Sequence, residues 1–142
     1  MNLTPKERGN LTELQCLMAF AEQGLKVSIP YGENCRYDFI LDVKGTLLKI
    51  QCKSSHFITS KEGFEFKCFS INATRKGVFE TKYTKDEIDY FATYFNGQCY
   101  LVPVEECGAT KILRFAYPKN GQKKGISLAD NYLLEEVIKQ YA

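Results

Sequence analysis

The 142-residue sequence has no Trp, a single His and no CxxC pair, and none of its apolar runs approaches the ~18–20 residues a bilayer-spanning helix requires. Each absence excludes a class. With His56 alone, and no Ser-His-Asp or Cys-His set, a hydrolase built on a nucleophilic side chain has no support. Neither GxxxxGK[ST] nor GxGxxG occurs, so the common phosphate-cradling loops are missing. Charge of one sign is also lacking, with 19 Lys+Arg against 17 Asp+Glu. The opening residues MNLTPKERGNLTEL show no charged, then apolar, then small-residue order. The expectation is a cytoplasmic chain with no membrane partner.

What is present reads as one folded unit over residues 1–142: 44% hydrophobic residues, nine Tyr and ten Phe provide a core and rule out a disordered chain. The six cysteines are evenly scattered. Cys16, Cys52, Cys68 and Cys99 have apolar or aromatic neighbours, which predicts buried free thiols rather than disulfides or zinc. Charge separates along the chain. Residues 53–85 carry seven bases against three acids, 111–125 five bases and no acid, and 86–110 five acids and no base. The two basic stretches are either solvated faces or a track for a phosphate backbone.

Thr4-Pro5 followed by Leu11, Leu14, Met18 and Ala21 at three- and four-residue spacing predicts a helix over Pro5–Gln23. A short strand lies in KVSIPYGEN, and YDFILDV and LLKIQCK form a hairpin about Lys44-Gly45. A third β run is predicted over Phe64–Asn72, and a basic polar loop over Thr74–Lys82. Thr84-Lys-Asp-Glu87 reads as a capping box opening a helix that carries Ile88, Phe91, Ala92 and Phe95. Strands follow at QCYLVPV and KILRFAY, then a loop at PKNGQKKG, and a last helix capped by Ser127 and Asp130. The order predicts an α/β fold in which helices flank a mixed β-sheet.

Polar residues break the apolar hairpin at Asp38, Gln51 and Lys53. Gln51 and Lys53, two apart on a strand, share a face. A two-residue turn at Lys44-Gly45 sets Asp38 across from Gln51, and a turn at Gly45-Thr46 sets it across from Lys53. A three-residue turn sends Asp38 to the other face. An acid, an amide and a lysine on adjoining strands are either a divalent-metal site with a cation beside it or a simple cross-strand ion pair. Hard Mg²⁺ takes oxygen ligands, so Asp38 with backbone or amide oxygens would hold it, and Lys53 would stabilise charge in phosphodiester hydrolysis.

Asp38, a glycine hairpin and Gln51-Cys52-Lys53, preceded by a helix bearing Glu13, resemble the active-site core of the PD-(D/E)XK nuclease superfamily. Tyr37 stands where the motif has Pro, and Gln51 where it has Asp or Glu. IPYGENCRYDFILD, IDYFATYFNGQCYLVPVEE, KILRFAYPKNGQKKGI and ADNYLLEE resemble, in order, segments of the group I intron-associated PD-(D/E)XK homing endonucleases, a similarity running from about Lys6 to Glu136. The resemblance implies a restriction-endonuclease-like core, related to that of Holliday-junction resolvases, and a Mg²⁺-dependent, site-specific double-strand DNA endonuclease acting as a homo-oligomer, dimer or tetramer. It makes Asp38 the principal metal ligand, Lys53 the water-orienting cation and Glu13 a further acid beside the metal. Gln51 takes the place of the usual acid, and Cys52 is carried over as a metal-contacting position.

Candidate contacts to double-stranded DNA are Ser54 and Ser55 after the lysine, Arg75, Lys76, Lys82 and Lys85 for the backbone, and Asn120, Gln122 and Lys123 in the third basic loop. Each has a plain structural alternative as a turn former or solvated side chain. Two other functions compete: a junction- or structure-selective nuclease on the same core, and a DNA-binding module whose active site has decayed at Gln51.

Overall fold

The structure, a computed structural model, describes residues 2–141. Helix α1 (Pro5–Glu22) begins at Thr4, whose hydroxyl accepts from the Glu7 amide while Glu7 accepts from the Thr4 amide. This reciprocal cap and Pro5 in the first turn start the helix where the sequence predicts. β1 (Lys26–Ser28), β2 (Phe39–Val43) and β3 (Thr46–Cys52) follow as an antiparallel meander. β8 (Tyr90–Phe95) then pairs parallel to β3, and β9 (Gln98–Pro103) closes the five-stranded mixed sheet in the order β1-β2-β3-β8-β9.

Both faces of this sheet are covered. Phe39, Leu41, Ile50, Ala92 and Leu101 pack with Cys16 and Phe20 of α1 and with Leu134 and Val137 of the short helix α2 (Leu134–Ile138). On the other face Phe91, Tyr100 and Val102 meet Phe64 and Phe66 of β5 (Gly63–Lys67) and Leu113 of β10 (Thr110–Arg114). β5 is the middle strand of a three-stranded sheet, β10-β5-β4, with β4 at His56–Phe57. The mixed sheet stands as predicted, but helices flank one face and a second sheet covers the other.

Three local expectations are corrected. The helix placed over residues 84–96 is β8. Thr84 and Glu87 do bond to each other, and the Glu87 and Ile88 amides reach the Thr84 carbonyl, but only one turn forms. Tyr90–Thr93 are then buried on both faces between β3 and β9, and a doubly covered strand reads as an unbroken apolar run, like a buried helix. The predicted strand Phe64–Asn72 divides at Cys68, whose amide turns to the Ala109 carbonyl at 2.9 Å. β6 (Phe69–Thr74) leaves the core there and pairs only with β7 (Gly77–Lys82), so the predicted 74–82 loop is half of a projecting ribbon. Finally, Ser127 and Asp130 cap no helix. Ala129–Tyr132 is a 3₁₀ turn, and α2 begins at Leu134 without a side-chain cap.

All six cysteines are free, and Cys16, Cys52, Cys68 and Cys99 are the four buried ones. Among the described residues no helix is long and apolar enough to cross a membrane.

Within the smaller sheet, β5 and β10 approach closely at Gly63, where an added Cβ would collide with the Leu113 carbonyl oxygen and stand 3.0 Å from the Arg114 Cα. Both are main-chain atoms fixed by the β5–β10 pairing. Gly63→Ala is expected to destabilise the protein by roughly 1–3 kcal/mol, seen as a lower urea midpoint with an unchanged slope.

Candidate active site

The hairpin register decides which side chains converge. Lys44 and Gly45 have positive φ, 52° and 90°, and Asp42 Oδ1 accepts the Gly45 amide at 2.8 Å. Val43 therefore pairs with Thr46 and Phe39 with Ile50. Two consecutive positive φ values suit the tight two-residue hairpin turn, whose twist matches the strands. Of the alternatives open in the sequence, this is the one that sets Asp38 opposite Gln51.

Asp38 sits just before β2. Its amide donates to the Ile50 carbonyl at 2.7 Å, and its Oδ2 accepts the Cys52 amide at 2.8 Å. Lys53 follows β3 directly. Its amide continues the pairing to the Ala92 carbonyl, and its Nζ donates to the Phe69 carbonyl at 3.0 Å. Gln51 is half-buried between them, with Nε2 3.5 Å from the Cys52 carbonyl. The Cys52 thiol belongs to the core beside Cys16, so Cys52 reaches the site only through its main chain, the amide that Asp38 accepts and the carbonyl oxygen. Glu13, on α1, and Asp38 line one open cavity of about 350 Å³ with Asn10, Leu14 and Ile29.

Electrostatics single out the same residues. Burial pushes the Asp38 carboxyl above the usual range, and the Cys52 amide and the Lys53 charge only partly counter it. Glu13 is also raised, by burial and then by the charge of Asp38. Burial lowers Lys53, opposed by Asp38 and reinforced by Arg36. Two carboxyls that raise each other's cost of ionisation are what a bound cation relieves. The available donors, Asp38, Glu13, the Gln51 amide oxygen and the Cys52 carbonyl, are all oxygens. They fit a single hard divalent cation that retains water; among the described residues no group of three or more His, Cys, Asp or Glu is placed to hold a metal ion.

Two neighbours escaped the sequence reading. The Arg36 guanidinium donates to Glu87 Oε2 at 2.9 Å, Ser70 Oγ at 2.8 Å and the Lys82 carbonyl at 3.0 Å, and lies 3.8 Å over the Tyr83 ring. The same ring lies 5.1 Å from Lys53 Nζ. Arg36 stands two residues before Asp38, a spacing that gave the only hint. Tyr83 gave none.

The remaining candidates are dispersed. Ser54 Oγ lies 2.8 Å from Thr12 Oγ1 of α1, and Ser55 Oγ 2.6 Å from Thr93 Oγ1 of β8, so both hydroxyls tie the end of β3 to its neighbours. Lys85 is paired with Asp89 and Glu105 beside the start of β8. Arg75 and Lys76 form the turn of the β6–β7 ribbon, and Lys82 ends β7. In the third basic loop Asn120 Oδ1 accepts the Gln122 amide, Gln122 Nε2 donates to the Lys124 carbonyl, and Lys123 Nζ lies 5.5 Å over Tyr117. Asp38, Gln51, Lys53 and Glu13 are brought together, and the basic candidates are divided among the β6–β7 ribbon, the turn before β8 and the third basic loop.

The family described as PD-(D/E)XK endonuclease matches the chain over residues 3–135. The solved structure of a bacterial homing endonuclease, I-Ssp6803I, is similar in fold with a TM-score of 0.74, covering 95% of this chain and 93% of that one at 22% identity. No curated protein sequence matches the chain.

Because the folded carboxyl of Asp38 titrates above its unfolded value, the group costs no stability at acid pH, where both states are protonated. The penalty grows as pH rises through the carboxylate range. Asn keeps an oxygen for the Cys52 amide and carries no charge. In the presence of a chelator, Asp38→Asn is expected to be more stable than the parent by roughly 0.5–2 kcal/mol at pH 7. Thermal melts across pH should show this gain shrinking toward pH ~4.

Proposed function

Since the chain belongs to the PD-(D/E)XK endonuclease family, we propose that it is a divalent-metal-dependent endonuclease that cuts both strands of duplex DNA at a specific site. The observation that carries this reading is the convergence of Asp38, Gln51 and Lys53 at the end of two paired strands, with Glu13 lining the same cavity as Asp38.

Asp38, Glu13, the Gln51 amide oxygen and the Cys52 carbonyl would hold the cation, for which Mg²⁺ is the fitting choice. When bound, it supplies Lewis-acid stabilisation of the phosphoryl oxygens and makes a water easier to deprotonate. The rest falls to the protein. Asp38 is fixed by the Cys52 amide and so presents its other oxygen without rotamer freedom. Lys53 spends one N–H on the Phe69 carbonyl, which orients the ammonium and leaves two for a phosphate oxygen and the attacking water. Its positive charge would stabilise the negative charge that builds on the phosphoryl oxygens.

One site reaches one scissile phosphate, so a double-strand cut calls for at least a two-fold dimer. A second reading rests on Gln51: an amide in place of an acid removes one negative charge from the metal set. If that loss is decisive, the chain binds duplex DNA without cutting it.

Incubation with a randomised duplex library, with and without Mg²⁺, followed by sequencing of new ends, separates the two. Recurrent ends at one sequence, only with Mg²⁺, are expected. Lys53→Ala should lower cleavage by roughly 10²–10³-fold or more while leaving the melting curve cooperative. Retained cleavage removes Lys53 from the mechanism, and sequence-selective binding without any ends favours the second reading. In a parallel melt, Mg²⁺ at about 100 times its Kd should stabilise the parent by about 2.7 kcal/mol and leave Asp38→Asn nearly unmoved.

A further inference from the structure

The β6–β7 ribbon is the one element the hydrophobic core does not explain. Its six paired positions, from Phe69 opposite Lys82 to Thr74 opposite Gly77, bond to no other strand. Every residue of β7, and β6 from Ile71 onward, is exposed. An isolated two-stranded hairpin in water is marginal. Here it is anchored at its root. Arg36 holds Ser70 and the Lys82 carbonyl while stacking on Tyr83, and Lys53 donates to the carbonyl of Phe69, the first residue of the ribbon. The ribbon therefore projects from the catalytic lysine itself, over about 17 Å at ~3.4 Å per residue.

Its chemistry matches duplex DNA. Residues 67–82 contain Lys67, Arg75, Lys76 and Lys82 against one acid, Glu80, with Arg75 and Lys76 at the tip. Directly opposed residues share a face, so Ser70, Asn72, Thr74, Phe79 and Thr81 form one side, and Phe69, Ile71, Ala73, Val78, Glu80 and Lys82 the other. On the first side Asn72 Nδ2 donates to Thr81 Oγ1 at 3.2 Å. That bond fixes the amide and leaves its oxygen and second N–H free, the acceptor and donor that the major-groove edge of adenine calls for. The Thr81 hydroxyl keeps its own proton to donate. Phe79, opposite Asn72, offers a ring suited to a thymine methyl. A major groove ~12 Å wide admits a two-stranded ribbon.

From this geometry we infer that the β6–β7 ribbon enters the major groove beside the cleaved phosphate and reads base edges with Asn72 and Thr81, while Arg75 and Lys76 hold the backbone. The inference rests on the duplex-DNA reading above and extends it to how the sequence is read.

The test is binding selection from a random duplex library by the full chain in a chelator, where cleavage plays no part, alongside the cleavage assay in Mg²⁺. Asn72→Ala and Thr81→Ala are each expected to flatten base preference at one or two adjacent positions, roughly ten- to hundredfold, with the salt dependence unchanged. Arg75→Ala with Lys76→Ala should weaken binding to all sequences alike and reduce the salt slope by about 1.8. Replacing purines at the affected positions with 7-deazapurines, which lack the major-groove nitrogen, should reproduce the loss. The inference is overturned if Asn72→Ala and Thr81→Ala keep the parental preference, if Ile71→Thr with Val78→Thr on the opposite face changes it instead, or if 7-deazapurines have no effect. A parent that selects a sequence yet never cuts refutes the endonuclease reading and leaves the ribbon standing. A parent that cuts at one site while the Asn72 and Thr81 variants read the same site refutes the ribbon alone.

Discussion

One main-chain amide governs the geometry of the candidate site. The Cys52 N–H meets Asp38 Oδ2 at 2.8 Å and holds a carboxylate at a depth where burial alone would drive it toward its neutral form. The amide is free to do so because the β2–β3 pairing ends at Phe39 and Ile50. Asp38 thus uses the first ladder position the hairpin leaves open. That position depends in turn on the turn at Lys44-Gly45, since one extra loop residue would carry Asp38 to the opposite face. A two-residue turn about 17 Å along the strands, at ~3.4 Å per residue, sets the geometry of the site.

Arg36 extends the same frame outward. It joins the Thr84–Glu87 turn, the two strands of the β6–β7 ribbon and the Tyr83 ring beside Lys53. A planar guanidinium can serve three acceptors and a ring at once, which a lysine cannot. The ribbon has no core of its own, so its direction relative to the site comes from this cluster and from the Lys53 bond to Phe69. Positioning and recognition share parts: the lysine proposed to act on the phosphate also buttresses the element proposed to find it.

Glu13, Asp38 and Lys53 are each shifted toward neutrality by burial. For folding alone this is unfavourable, and apolar residues there would be more stable. A group of partly desolvated charges whose mutual pairing only partly offsets their burial is the arrangement expected where a cation and a polyanion are to be received. Gln51 fits the pattern, because an amide beside Asp38 adds no third like charge.

Helix α1, the hairpin and the four buried thiols were legible in the sequence because each rests on local rules: a Thr-Pro cap, a Lys-Gly turn, apolar neighbours. The Asp38, Gln51 and Lys53 set was legible for a related reason, since polar residues inside an apolar hairpin stand out. Residues 88–95 were not, because a strand covered on both faces loses the alternation that separates it from a buried helix, and its covering layers come from α1 and α2 on one face and from β5 and β10 on the other, all distant in sequence. The break at Cys68 was equally hidden, as nothing near it shows that its amide will turn to Ala109. By itself, then, the sequence determined the polar hairpin and its helix, whose causes lie within a few residues of each other. The tertiary structure alone decided that Glu13 meets Asp38 across a cavity and that residues 69–82 stand free of the core, because those outcomes depend on contacts between segments that have no local trace of one another.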